Sequence, residues 1–161
     1  MKAYIIGVAM FVVFISFTIF QQDYNLYQEH LYNLKFVAEE SAASAAQYID
    51  VDNYAEGKII FNRLEGIEAA EYLIIKQLKL DKNFMPLSNS YWHERIDYRI
   101  NFFDESNSVF PFLYENSENN FVLTISNPTV VITINAGEPR YRLFNSLTDA
   151  IMIAVYEWKG R

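Results

Sequence analysis

Apolar positions run unbroken from Ala3 to Phe20, AYIIGVAMFVVFISFTIF, eighteen residues with no charge and only Ser16 and Thr18 as hydroxyls. At 1.5 Å per residue this makes about 27 Å of helix, close to the roughly 30 Å hydrocarbon core of a bilayer. From Gln21 the pattern changes. Apolar residues persist at a 3-4 spacing while the faces between them turn polar. One heptad-spaced seam crosses the change: Ile6, Met10, Val13, Phe17, Phe20, Tyr24, Tyr27, Leu31, Leu34, Ala38, Ser41, Ala45, Tyr48. Neither Gly nor Pro occurs between Gly7 and Gly57, so nothing ends the helix before the Asp- and Asn-rich Val51 to Gly57. The pattern predicts a transmembrane anchor over residues 1–20, with Ile6, Met10, Val13, Phe17 and Phe20 along it. The same helix continues outside the membrane over 21–50.

Residues 51–161 alternate between shorter periods. Lys58 to Phe61 reads as a short strand. Asn62 with Glu65 three residues on is a capping-box arrangement, opening a helix from about Arg63 to Leu80 with Leu64, Ile67, Ala70, Ile74 and Leu78 buried. Pro86 marks a loop over 81–90. In Arg95 to Phe103, Ile96, Tyr98, Ile100 and Phe102 alternate with polar residues, the period of a strand with one wet face. Asp104 to Asn120 is acidic and polar, a mobile loop with a short strand around Phe112. Phe121 to Ser126 and Thr129 to Asn135 read as strands of a hairpin joined at Asn127-Pro128. Gly137-Glu138-Pro139 makes a turn, and Ser146 with Asp149 caps a final helix, Leu147 to Trp158. The fold class is α+β: a long N-terminal helix, membrane-spanning in its first half, then a small antiparallel-sheet domain with two further helices. About 110 residues lie beyond the helix, enough for one extracytoplasmic domain, 51–161, and not two.

A cleaved secretory signal is the competing reading of the apolar stretch. It would need a shorter apolar core and a small-x-small site just after it; the chain instead reads TIFQQDYNLY. Lys2 and the amino terminus precede the span, and Gln21, Gln22 and Asp23 follow it. Positive charge stays on the cytoplasmic side, which predicts a single-pass protein of the cell membrane, amino terminus inside and the C-terminal domain outside. No cysteine is present, so that domain stands on its core without disulfides. The net charge is −7, with seven acids against Lys35 alone over residues 21–57, and five acids without a base over 104–138. Such a surface repels nucleic acid.

The residues offer no catalytic chemistry. His30 and His93 stand far apart, and neither sits in a cluster with metal-ligand spacing. Glu39 and Glu40 are adjacent on a helix and face different ways. There is no nucleophile elbow and no thiol, and single scattered glycines draw no phosphate-cradling loop. The reading is non-enzymatic, with no catalytic, cofactor-binding or metal residues and no cofactor.

A helix apolar in its first half and amphipathic in its second, feeding a small sheet domain, resembles the plan of type IV pilins and pseudopilins. The Ala-rich VAEESAASAAQYID beyond the span is similar to TadE-like pseudopilins of tight-adherence pilus systems. The resemblance covers the first fifty residues. It implies a structural or assembly component of a cell-envelope pilus or secretion-type machine, whose partners are membrane lipid, other pilin-like or envelope-complex proteins, and copies of itself. The chain departs from the family at the prepilin peptidase site: the nearby glycine is Gly7, its fifth successor is Val12, and no Glu precedes Glu29. A minor, unprocessed component fits that departure. The alternative is a single-pass anchored interaction module, a sensor or scaffold subunit working through its outer domain. Within the seam, Tyr24, Tyr27, Leu31 and Leu34 are expected to meet partner helices, and Ala38 to Tyr48 to pack on the chain's own domain.

Overall fold

Helix α1 runs Lys2–Ala45 without a break in the computed structural model, which describes residues 2–143 and 148–159. It is followed by α2 (Val51–Ala55), α3 (Arg63–Leu78) and five strands, β1 (Asp97–Phe103), β2 (Phe112–Asn116), β3 (Phe121–Ile125), β4 (Thr129–Asn135) and β5 (Ile151–Glu157). The architecture is α+β, with two antiparallel sheets, β1-β4-β5 and β2-β3.

The second half of α1 and α3 lie together on one face of the three-stranded sheet. Val130, Ile132 and Ile134 of β4, Phe102 of β1 and Ala154 of β5 meet Leu34, Val37, Ala38, Ala42 and Ala45 of α1 and Ala70, Ile74 and Leu78 of α3. Small side chains on α1 set how close the layers come. Gly66 does the same for α3: a Cβ there would lie 2.9 Å from the Ala45 carbonyl oxygen and 3.2 Å from the Phe102 ring. Trp92 and Ile96 close the core at the end nearer the apolar half of α1. On the other face of the sheet the β2-β3 hairpin packs through Phe112 and Tyr114 against Phe103, with ring centroids 5.3 and 5.1 Å apart. Central β4 is therefore covered on both sides.

Four sequence expectations change. The apolar run at the C-terminal end is strand β5, not a helix; the expected cap at Ser146 and start at Leu147 lie outside the described residues. IMIAVYE is short enough to serve either state, and β4 offers it a full edge, Asn135 facing Ile151 through Thr129 facing Glu157. The two further helices are thus α2 and α3. Second, β3 and β4 are not a hairpin. β3 turns back on β2 across a single 3-10 turn, Ser117–Asn119, with Asn120 left-handed at φ 50°, while β4 is inserted between β1 and β5. Third, Leu64 is 78% exposed, and Gly66 replaces it on the buried stripe of α3. Fourth, Lys58 to Phe61 makes only an isolated bridge, Phe61 with Ile49. That bridge draws the chain out of α1 after Ala45. Asp50 then caps α2 by accepting from the N–H groups of Asp52 and Asn53 at 3.1 and 3.0 Å, and these bonds hold its carboxyl below the usual range.

The expected loop after β1 is fastened at its base. The fully buried Asp104 accepts from the N–H groups of Phe61 (3.2 Å) and Ser106 (2.9 Å), with the Arg63 guanidinium 3.6 Å away. One buried polar atom in the α1 layer is left over: the Ser41 hydroxyl has no hydrogen-bond partner among the described residues. Ser41→Ala removes that desolvated hydroxyl and raises helix propensity, and should stabilise the domain by about 1 kcal/mol. A thermal midpoint that stays put or falls would refute it.

Candidate functional site

Two surfaces of α1 are open, and they differ in kind. From Ala3 to Ile15 side chains are exposed in every direction around the helix, Ile6, Met10 and Val13 among the apolar ones, and Phe17 beyond them is exposed as well. Among the described residues α1 is the one helix long and apolar enough to cross a membrane. Beyond Phe20 one face of α1 sinks into the domain and the opposite face stays bare. Tyr32 (71% exposed) and Phe36 (53%) stand one turn apart on that bare face, with the exposed Leu26 nearer the span.

The seam residues lie mostly on the sunken face. Leu34 is 0% exposed within the chain's own core; Tyr27 and Leu31 are half-buried against it. Tyr24 remains largely open and stacks on Phe20 at 6.4 Å. Packing on the chain's own hydrophobic core therefore begins at Tyr27, about three turns earlier than the small residues at Ala38 suggest. Tyr32 and Phe36 were missed because they fall off the seam; their i,i+4 aromatic spacing on a polar face was the available signal.

Where α1 leaves its apolar half, a segment from the far end of the chain grips it. Asp23, the first charge after the apolar stretch, is only 5% exposed. It accepts from the Arg142 backbone N–H at 2.8 Å and from Arg142 Nε at 2.7 Å, while the same guanidinium donates to the Gln22 side-chain amide oxygen Oε1 at 3.1 Å. Tyr141 lies against Phe20 at 6.0 Å and edge-on to Tyr27 at 6.1 Å; burial, more than its neighbours, raises its pKa. Arg140 is held by its backbone N–H to the Tyr91 hydroxyl (3.1 Å) and its guanidinium to the Trp92 carbonyl (3.0 Å). Asp23 and Arg142 are 119 residues apart, so no local pattern announces the pair.

His30 stacks on Tyr91 at 4.1 Å. Burial lowers its pKa below the ordinary 6.5; Glu29 on its own helix pulls it up and Lys79 at the end of α3 pushes it down. The unfolded chain therefore takes up this proton first as pH falls below 6.5, and the stability held by neutral His30 at pH 7 is lost in that window. Between pH 7 and 5 the thermal midpoint should drop more for the native protein than for His30→Gln. Parallel pH profiles for the two would rule this out.

At the opposite end of the domain a cleft of about 1030 Å³ opens between the α1–α2 turn, β3 and β5, lined by Ile49, Tyr54, Leu123, Val155 and Trp158 among others. Among the described residues no group of three or more His, Asp or Glu side chains is disposed to hold a metal. Glu39 pairs with Lys35 at 3.8 Å and Glu40 accepts from the Gln77 amide. His93 lies 3.7 Å from Glu94. Comparison with known proteins adds no relative. No protein family, curated protein or solved structure matches the chain.

Proposed function

We propose that this protein is a non-enzymatic, membrane-anchored, pilin-like component of a cell-envelope pilus or secretion-type machine, working through helix packing. One observation carries the reading: a single uninterrupted helix is apolar on all sides at one end, and at the other is core on one face and bare aromatic surface on the opposite face. Such a helix transmits the position of the bilayer rigidly to the domain, and leaves Tyr32 and Phe36 for neighbouring helices. Lys2 before the span and Asp23 after it favour an amino terminus in the cytoplasm and the domain outside.

The absence of native cysteine makes single-cysteine crosslinking the direct test. Tyr32→Cys and Phe36→Cys, treated with a short bifunctional thiol or photoactivated reagent in intact cells, should give adducts with copies or with other envelope proteins. The cleft supports a second reading, an anchored interaction module that works through its outer domain. Adducts from Tyr54→Cys, with none from positions 32 and 36, would favour that reading over the first. Protease added to cells stripped of their wall should remove the domain; protection would overturn the orientation.

A further inference from the structure

The grip of residues 140–143 on α1 occurs at a height that the helix itself defines. Phe20 is the last apolar residue of the span, and Asp23 lies about 4.5 Å further along the axis. The headgroup layer adds roughly 5–8 Å to each side of the hydrocarbon core. Tyr141 touches Phe20, and Arg142 is bonded to Gln22 and Asp23, so these two residues are pinned at that layer whenever α1 spans a bilayer, with Arg140 and Leu143 on either side of them in the chain. Its chemistry suits the layer. Tyr141 is an amphipathic ring at the aromatic-belt position, the Nη1 groups of Arg140 and Arg142, which those bonds do not use, suit a phosphate acceptor, and Leu143 is 49% exposed beside them. The grip also removes Asp23, whose bare carboxylate would otherwise face the boundary of the hydrocarbon.

We propose that Arg140, Tyr141, Arg142 and Leu143 form a lipid-facing collar around the exit of α1, seated among phospholipid headgroups with the arginines on phosphate and Leu143 toward the acyl boundary. The occupant is the phospholipid surface, and continuity with the exposed apolar half of α1 is what selects it. Depth is set by the helix and not by attraction of net charge, because the three acids Asp23, Glu94 and Glu138 outnumber the two arginines of the collar. The collar fixes the domain's distance from the bilayer and limits its tilt. This inference rests on the membrane-spanning reading of α1.

The test uses the full chain in phosphatidylcholine vesicles, with one cysteine at a time bearing an environment-sensitive fluorophore. Met10→Cys reports the span and Leu143→Cys the collar. Val109→Cys, in the loop that follows the buried Asp104 at the Ala45 end of α1, reports a site roughly 35 Å farther along the helix axis. A nitroxide on the lipid headgroup should quench position 143 at least about twofold more than position 109, and an acyl-chain nitroxide should quench position 10. Quenching at 143 no greater than at 109, with position 10 still quenched in the acyl region, overturns the collar and leaves the span intact. No acyl quenching at position 10 defeats the spanning reading itself, and the collar with it. Quenching at 143 that appears only when phosphatidylglycerol is added overturns the proposal as well, since net charge and not helix geometry would then set the depth.

Discussion

Leu34→Asp is expected to abolish the cooperative unfolding transition of the C-terminal domain, or to lower its stability by at least about 4 kcal/mol, while the apolar half of α1 stays helical. The reason is placement. Leu34 is fully buried between α1, α3 and the sheet, and a carboxylate there has neither water nor a partner. Removing the leucine alone costs about 2–5 kcal/mol at such a site, and the charge adds to it. Against a total of about 5–15 kcal/mol for a domain, the loss is most of what holds it folded. Tyr32→Asp, two residues away on the bare face, should change stability by about 0.5 kcal/mol or less. Thermal scans of both variants in detergent or vesicles decide the matter. A folded Leu34→Asp protein that has lost its partners would mean that Leu34 faces another helix, as its seam position alone suggests.

Gly66→Ala should destabilise the domain by about 1–3 kcal/mol, although alanine is the better helix former by about 1 kcal/mol. The added methyl would stand 2.9 Å from the Ala45 carbonyl oxygen, which belongs to the backbone of α1 and cannot rotate away, and 3.2 Å from two atoms of the Phe102 ring. Either α3 lifts off α1 or Phe102 leaves its rotamer, and both open the core. Gly7→Ala makes the matching control, because nothing lies within 4 Å of the place its methyl would take and α1 is helical there. The same chemical change should thus be neutral or stabilising at one glycine and damaging at the other. Equal shifts of the thermal midpoint would show that the α1–α3 contact at Gly66 is looser than its geometry indicates.

Several features of this chain were decided by local chemistry and were legible along it. Eighteen uncharged residues make a helix of bilayer length whatever follows them, and the lack of Gly and Pro lets that helix continue. The period-two alternation of Arg95 to Phe103 and the β-branched run Thr129 to Asn135 both became strands, the second with the expected bounds. Asn62 caps α3 as its spacing with Glu65 suggests, accepting from the Glu65 N–H at 3.4 Å. Each of these rests on residues within a few positions of one another.

Other features depended on what the chain meets after folding. Ile151 to Glu157 is a strand because β4 had a free edge beside it, and an apolar run of seven residues does not by itself choose between helix and strand. β3 pairs with β2, since β4 was already flanked by β1 and β5. Leu64 and Gly66 exchange roles because the crossing with α1 demands the smallest residue at the contact. The face that α1 leaves bare was set by where the sheet lands: periodicity marks an apolar seam but not whether a partner or the chain's own domain covers it. The Asp23–Arg142 pair joins residues 119 positions apart, and only the docking of the 140–143 segment at the end of the apolar half of α1 brings the two charges together.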